Sequence, residues 1–264
     1  VAQVDHNSGR TREAREALLE LADIDARALG PDHRETLTVL DTLGTLYWLN
    51  QQYAEAEKCQ LVVLEGRLRT LGPNHLDTLG ARRSLATTYF HLNKRDEGIA
   101  MLREVVSALK SRHDLKDGFF IAFTTQDLAA ALRDAGHPDE AEPLFHEAID
   151  GLTAVVGPDH QHVLTGEHNL GLLLMLDRND PQAALPLLRH AADTSARISS
   201  PDNRITIIFR QTLGRCLLAL GNRDEAFEVL AAAHDSAYRT LGPDHVQTRS
   251  LAEFLRIAST TPAR

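Results

Sequence analysis

A five-residue motif recurs four times along the chain at a nearly constant spacing. It reads LGPDH at 29–33, LGPNH at 71–75, VGPDH at 156–160 and LGPDH again at 241–245. The glycines of the four copies are 42, 85 and 85 residues apart, which is one period followed by two double periods. Degenerate copies occupy the two skipped positions, as RHDLKDG at 112–118 and SPDNRIT at 200–206. A period of this length is typical of a repeat array.

Each period contains the same pattern of apolar and small residues. Thirteen residues after the motif position comes a large apolar residue and then a small one, in the pairs Leu43-Gly44, Leu85-Ala86, Leu128-Ala129, Leu170-Gly171 and Leu213-Gly214. Further apolar residues follow at spacings of three and four, which are helical. The segments LNQQ, LNKR, AGHP, RNDP and LGNR interrupt each period near its middle. Each period is therefore predicted to be a helix, a turn and a second helix.

One helical hairpin cannot bury its apolar stripe alone, so the hairpins are predicted to stack into an all-α solenoid. The small residues of the pattern, such as Gly44, Ala56 and Ala86, are expected where two helices cross closely.

The order Leu-Gly/Ala, Tyr/Leu, Ala, Phe/Leu, Ala resembles the tetratricopeptide repeat. The 42-residue period with a GPDHxxT linker resembles the long-helix subclass found in kinesin light chains and in many bacterial regulators. This resemblance implies a right-handed α-solenoid of stacked helix-turn-helix repeats whose first helices line a concave face. Kinesin light chains usually carry an Asn-Asn pair before the Leu-Ala of the first helix, and only Asn169 matches it here. The ligand class of that subclass is therefore not carried over.

The phase of the repeat predicts one solenoid domain over residues 1–264. It comprises a partial repeat at 1–29, full repeats at about 30–71, 72–114, 115–156, 157–199 and 200–241, and a terminal capping helix at 242–264. In this alignment Val1-Ala2 falls at the Leu-Gly position of a first helix, so the chain is expected to be a fragment of a larger protein, a bacterial multidomain regulator by the resemblance. A start inside a repeat is expected to expose an apolar stripe.

The histidine and aspartate of the motif suggest either chemistry or a boundary between helices. In a solenoid, equivalent positions lie roughly two helix diameters apart, about 20 Å, too far for a shared metal ion. No serine or cysteine nucleophile recurs at a constant offset from the histidines. The boundary interpretation is therefore favoured. Gly72 is predicted to end one helix with a left-handed backbone, and Asn74 to cap the next with Asp77 as in a capping box. Asp32 with Glu35 and Asp244 with Gln247 repeat the arrangement, with each histidine in the first helical turn.

The composition excludes several classes of function. The formal net charge of −9 argues against nucleic-acid and anionic-membrane partners, because both require a basic field. No apolar run approaches the roughly 20 residues of a spanning helix. Cys59 and Cys216 are far apart and form no CxxC, which fits a reducing compartment, and we expect a cytoplasmic protein. No phosphate-binding loop or metal-binding motif is present in the sequence, so no cofactor, no metal and no catalytic residue is predicted.

The candidate partner-binding residues follow from the phase of the first helices. Side chains two or five positions from the Leu of each Leu-Gly or Leu-Ala pair are predicted to face inward. The set is Asp41, Thr45, Trp48, Arg83, Thr87, Phe90, Phe123, Gln126, Arg133, His168, Met175, Gln211 and Arg215. Aromatic residues beside arginines are typical of interface hot spots. The alternative is that the wide side chains pack between neighbouring first helices.

Two functions remain open at this point. The first is a non-catalytic scaffold that binds a peptide or protein segment in the concave groove, as a regulatory part of a larger signalling protein. The second is a module for self-association or for docking within a multidomain protein. An enzyme is not expected, because a fold alone specifies no chemistry and no site is visible.

Overall fold

The computed structural model describes residues 2–112 and 118–260, with side chains from residue 11 onward. Its secondary structure over these residues consists of α-helices and turns. The helices are α1 (Ala2–Ala28), α2 (Arg34–Leu49), α3 (Tyr53–Leu71), α4 (Leu76–His91), α5 (Arg95–Lys110), α6 (Gly118–Asp134), α7 (Pro138–Val156), α8 (Gln161–Leu176), α9 (Pro181–Ile198), α10 (Arg204–Ala219), α11 (Arg223–Leu241) and α12 (Val246–Ser259). The prediction of an all-α fold built from helix-turn-helix repeats is confirmed.

The helices pair in the predicted order. Hairpins α2–α3 and α4–α5 stack on one another, and so do α6–α7, α8–α9 and α10–α11 with α12. The first helices α6, α8 and α10 also contact the next first helix in line, which is α8, α10 and α12 respectively. Contacts divide the chain into two compact units, Val1–Asp117 and Gly118–Arg264. That the two units form one domain stays a prediction.

Small residues let the helices of a hairpin approach each other closely, as the pattern predicts. Ala56 and Ala86 have no or almost no exposed surface. A Cβ added to Gly44 would lie 3.3 Å from Cβ of Cys59. One added to Gly214 would overlap the side chain of Leu230. Any larger side chain there would push the helix axes apart.

The first helix differs from its predicted form. The predicted partial repeat at 1–29 begins inside a first helix at Val1-Ala2 and should then continue as a second helix, but α1 runs without a break from Ala2 to Ala28. The lone Ser8-Gly9 pair disfavours a helix by only about 1 kcal/mol, and no proline stops it. Downstream, the side chains of Leu21 and Ile24 are exposed, so the predicted apolar stripe is present on this helix.

The motif glycines end their helices as predicted. Gly72 closes α3 with φ 83° and ψ 171°, and Gly157 and Gly242 close α7 and α11 with nearly the same angles. This backbone region is open almost only to glycine. A hydroxyl then ties the two sides of the linker together, since Thr36 donates to the Gly30 carbonyl at 2.9 Å and Thr248 to the Gly242 carbonyl at 2.8 Å.

The predicted capping residue is wrong. The motif histidine, and not the preceding Asp or Asn, is the N-cap of the new helix. The Nδ1 atom of each accepts the backbone N–H two residues on, at 3.1 to 3.3 Å, in His33, His75, His160 and His245. Asn203 takes this place before α10, with its side chain accepting from Ile205 at 2.8 Å. Asparagine is a preferred N-cap residue, and the imidazole acceptor substitutes for its amide oxygen.

The motif aspartate pairs instead with an arginine near the end of the second helix of the same repeat. Asp32 accepts two hydrogen bonds from Arg69, at 2.7 and 2.8 Å. The same pair recurs as Asp159 with Arg197 and Asp202 with Arg239, both at 2.6 Å. Hydrogen bonds from the arginines hold the pKa of all three carboxyls below their usual range. The motif therefore joins consecutive linkers within each unit.

Candidate partner-binding surface

The predicted residues of α2 lie on a partly accessible face. Thr45 is exposed and its hydroxyl donates to the Asp41 carbonyl at 3.0 Å. The Asp41 carboxylate accepts a hydrogen bond from Arg67 at 2.9 Å, so this arginine of α3 fixes the Asp41 side chain. Trp48 is half-buried and meets the His91 ring edge-on, with the ring centres 5.5 Å apart. His91 in turn stacks on Tyr53 at 4.1 Å.

The predicted residues of α4 continue this face in the same unit. Arg83, Thr87 and Phe90 are all half-buried. The Thr87 hydroxyl donates to the Ser84 carbonyl at 2.8 Å, so its methyl group and the lone pairs of its oxygen remain for a partner. Phe90 packs toward the start of α5, where a Cβ on Gly98 would come within 3.0 Å of its ring. The unit Val1–Asp117 thus presents Asp41, Thr45, Trp48, Arg83, Thr87 and Phe90 on two successive first helices.

Three predicted residues of the other unit are core groups. Gln126, His168 and Met175 keep only 4%, 7% and 8% of their surface exposed. The amide oxygen of Gln126 is buried without a hydrogen-bond partner among the described residues, close to Gly166. Because these side chains do not reach the surface, the packing alternative applies to them and they are left out of the surface proposed below.

His168 shows how such a side chain serves packing. Its Nε2 lies 3.0 Å from the Thr212 hydroxyl, and its ring stacks on Phe209 at 4.6 Å, so it joins α8 to α10. Burial lowers the pKa of His168 to about 4, because the charged imidazolium is poorly solvated there. The side chain is therefore neutral at pH 7.

Phe123 and Arg133 connect α6 with α8. The Phe123 ring lies 4.4 Å from that of His162, and the Phe119 ring joins the same cluster. Arg133 bonds the Asp134 carboxylate at 2.6 Å and also points toward the carbonyl of Asn169, at 3.4 Å. Phe123 and Arg133 are both half-buried, so part of each side chain packs against α8 and part remains accessible to solvent.

Gln211 and Arg215 make the corresponding connection from α10 to α12. The Gln211 amide donates to the Ser250 hydroxyl at 2.9 Å. The Arg215 guanidinium lies over the Phe254 ring at 5.5 Å, a cation–π contact that leaves its N–H edges available. The structure thus brings Phe123, Arg133, Gln211 and Arg215 to the junctions between neighbouring first helices of Gly118–Arg264.

Sequence reasoning missed the residues that support these side chains. Arg67 lies on a second helix, outside the inward-facing pattern, yet it reaches Asp41 and the backbone carbonyl of Asp77. His162 follows the motif histidine by two positions and was assigned no role. Its place beside two phenylalanines, Phe119 and Phe123, becomes evident only when α6 and α8 are packed together.

The arrangement is suited to recognition. Aromatic edges, guanidinium groups and small polar side chains share the first-helix surface, a combination that binds peptide backbones and carboxylates. Within residues 2–112 and 118–260, no three His, Cys, Asp or Glu side chains converge as metal ligands would. Burial raises the pKa of Cys216 to about 11, so its thiol is unreactive at neutral pH. None of the described helices combines the length and apolarity needed to cross a bilayer.

Comparison with known proteins identifies the repeat. A sequence profile of the tetratricopeptide repeat matches residues 1–69, 45–111 and 121–196, and a second profile of this repeat matches residues 210–247. No curated protein matches the chain significantly in sequence.

Solved structures share the fold at low sequence identity. A Podospora anserina protein assigned as a kinesin light chain with nearly identical TPR-like repeats is 22% identical, with a TM-score of 0.64 over 80% of this chain and 97% of its own. BtubC from P. vanneervenii is 18% identical, with a TM-score of 0.67 over 89% and 91%. NprR in complex with its cognate peptide NprX is 14% identical, with a TM-score of 0.62 over 90% and 66%.

Proposed function

This chain belongs to the tetratricopeptide repeat family, and from that premise we propose that it is a non-catalytic scaffold that binds a peptide or protein segment in a groove lined by its first helices. Stacked repeats of this kind generally act as interaction scaffolds rather than enzymes. NprR, which has the same fold, holds a peptide. The scaffold acts in the cytoplasm as the regulatory part of a larger signalling protein.

One observation carries the proposal. Trp48 on α2 and Arg83 and Phe90 on α4 are large side chains that are half-buried on two successive first helices. Aromatic and arginine side chains contribute disproportionately to protein interfaces, because each buries a large area at a small cost in side-chain entropy. The same types recur in the second unit as Phe123, Arg133 and Arg215.

Charge reversal tests this surface. Peptides selected by display on the wild-type chain are measured against Arg83→Glu and Arg133→Glu by fluorescence anisotropy. We expect at least roughly tenfold weaker binding, because a charge-assisted hydrogen bond contributes about 1.5–3 kcal/mol. Arg95→Glu, at the exposed start of α5, and Arg249→Glu, on α12, are the controls. Unchanged affinity in both variants, with unchanged thermal unfolding, would reject the groove.

A second function, self-association, is favoured by the exposed apolar stripe on α1. Its members are spaced three and four residues apart on the side of the helix that points away from the body, at Ala14, Ala17, Leu21, Ile24 and Ala28. This spacing is that of a coiled-coil seam. Light scattering after size-exclusion chromatography should then show a mass that rises with concentration, and Leu21→Glu with Ile24→Glu should abolish the rise. Val62→Glu, at an exposed site of α3, is the matched control.

A further inference from the structure

A cavity of about 530 Å³ lies at the linker edge of the unit Val1–Asp117. The starts of α2 and α4 and the end of α3 form its walls. Leu37, which is buried, and Leu71 provide an apolar lining, and polar side chains surround it. Its volume lies within the roughly 300–1,000 Å³ of small-ligand sites. The residues predicted for the first-helix surface are not among those that line it.

Several polar groups of the lining are already engaged within the protein. Asp32 is neutralised by its two hydrogen bonds to Arg69. Arg67 is deeply placed, with its side chain 13% exposed, and its guanidinium bonds the Asp41 carboxylate and the Asp77 carbonyl. Because Asp32 and Arg67 are already hydrogen-bonded within the protein, we do not expect them to bind a ligand.

The remaining polar groups are mostly donors. Among the described residues, none accepts a hydrogen bond from the Arg34 guanidinium. The Nδ1 atoms of His33 and His75 accept backbone N–H groups as N-caps, so in the neutral rings the proton lies on Nε2. Both histidines line the cavity, and in each neutral ring the Nε2–H donor is the polar group left for a ligand. The positive ends of the α2 and α4 dipoles add to the same field.

The Asp77 carboxylate favours one kind of anion over another. It lines the cavity, with the Nδ1 atom of His75 3.8 Å from its Oδ2 atom. The Asp77 carboxylate repels inorganic phosphate more strongly than it repels a single carboxylate, because phosphate carries the larger negative charge on average at neutral pH. A peptide can match each part of the lining. Its backbone N–H can donate to Asp77, an acidic side chain can accept from Arg34 and the two histidines, and an apolar side chain can pack on Leu37 and Leu71.

We propose that this cavity binds an acidic side chain of a peptide, with its carboxylate at Arg34 and the Nε2–H groups of His33 and His75. An adjoining apolar residue of the peptide packs on Leu37 and Leu71. The Asp77 carboxylate accepts a backbone N–H of the peptide. The site goes beyond the first-helix surface and depends on different side chains, so a negative result for Arg83→Glu leaves it standing.

Imidazole nitrogen spectra of the ¹⁵N-histidine-labelled full chain provide the test. The probe is the capped tripeptide acetyl-Leu-Glu-Leu-amide, with acetyl-Leu-Gln-Leu-amide as its uncharged match and inorganic phosphate as the competing anion. We expect the glutamate peptide to shift the His33 and His75 signals and to leave those of His160 and His245 in place. The latter two are N-caps of the same type, outside the cavity lining.

Arg34→Ala should weaken the glutamate peptide at least tenfold, whereas Arg204→Ala should not. Arg204 is the matched control because it begins α10 directly after the N-cap Asn203, as Arg34 begins α2 after His33. Equal binding of the glutamine peptide, unchanged binding by Arg34→Ala, or equal shifts at all four histidines would overturn the proposal. Tighter binding of phosphate than of the peptide would also overturn it.

Discussion

Single residues in this chain take roles that their neighbours in space decide. The histidines show this, because some lie at the edge of the fold and one is buried in the core. The four motif histidines cap helices at the edge of the fold, while His168 is enclosed between α8 and α10 and held neutral. The same residue type thus serves as a hydrogen-bond acceptor in one place and as a flat packing element in another.

The buried histidine makes stability depend on pH. The pKa of His168 is about 4 in the folded chain, against 6.5 for a free side chain. Below pH 6.5 the unfolded chain binds a proton that the folded chain refuses, so stability is complete above pH 6.5 and falls as the pH drops toward 4. We expect a loss of roughly 3 kcal/mol across this window, measured by urea unfolding at each pH.

A leucine at the same position should remove that component. In His168→Leu the Thr212 hydroxyl still donates to the Ile208 carbonyl at 3.2 Å, so no buried hydroxyl is left unpaired. The variant should therefore fold and show a shallower decline between pH 6.5 and 4. An unchanged decline would mean that other groups cause the acid sensitivity.

Helix pairs are set by the size of the residue at each crossing. The residue after the leucine of each Leu-Gly or Leu-Ala pair is Gly44, Ala86, Ala129, Gly171 or Gly214 in successive repeats. A methyl group is accommodated at Ala86 and Ala129, which are fully buried. At Gly171 and Gly214 the leucine of the second helix fills that space, at Leu188 and Leu230.

Gly214→Ala should therefore destabilise the chain, although alanine is the better helix former. The new Cβ would overlap the side chain of Leu230, which is fully buried and cannot move aside. We expect a net loss of about 1–3 kcal/mol in urea unfolding. Gly44→Ala is the comparison, because its Cβ would meet Cβ of Cys59 at 3.3 Å, and the gain in helix propensity of about 1 kcal/mol offsets that contact.

Within each unit, the fold is held together by contacts between helices that are neighbours in the chain. Each helix packs on the neighbouring helices of its own unit, and ion pairs such as Arg189 with Glu225 and Arg178 with Glu142 join positions about one repeat apart. In such an array stability is close to a sum over repeats and their interfaces.

A destabilising substitution in one repeat should therefore lower stability mainly in that repeat and its neighbours. In Gly214→Ala we expect faster amide hydrogen exchange in α9 to α12, and rates close to wild type in α6 and α7 of the same unit. Mass spectrometry of peptic fragments measures this directly. Uniform acceleration over all of Gly118–Arg264 would show that the unit unfolds as one cooperative body.

The amino-acid sequence alone determined the period, the phase and the glycines that end the second helices. These features rest on short-range physics: glycine at positive φ, turn residues between helices, and apolar residues three and four apart. From them the repeat fold and the register of every first helix from α2 to α12 could be predicted, and so could the crossings at Gly44 and Ala86.

Only the tertiary structure decided which predicted residues are accessible and what the motif residues contact. Asp32 and Arg69 are 37 positions apart in the chain, and their pairing is visible only when the two helices of the hairpin are packed together. The burial of Gln126, His168 and Met175 depends on how closely the neighbouring first helix approaches. The periodicity of one helix gives the direction in which a side chain points. The distance to the next helix depends on the fit of many side chains together, and that distance separates a binding surface from a core.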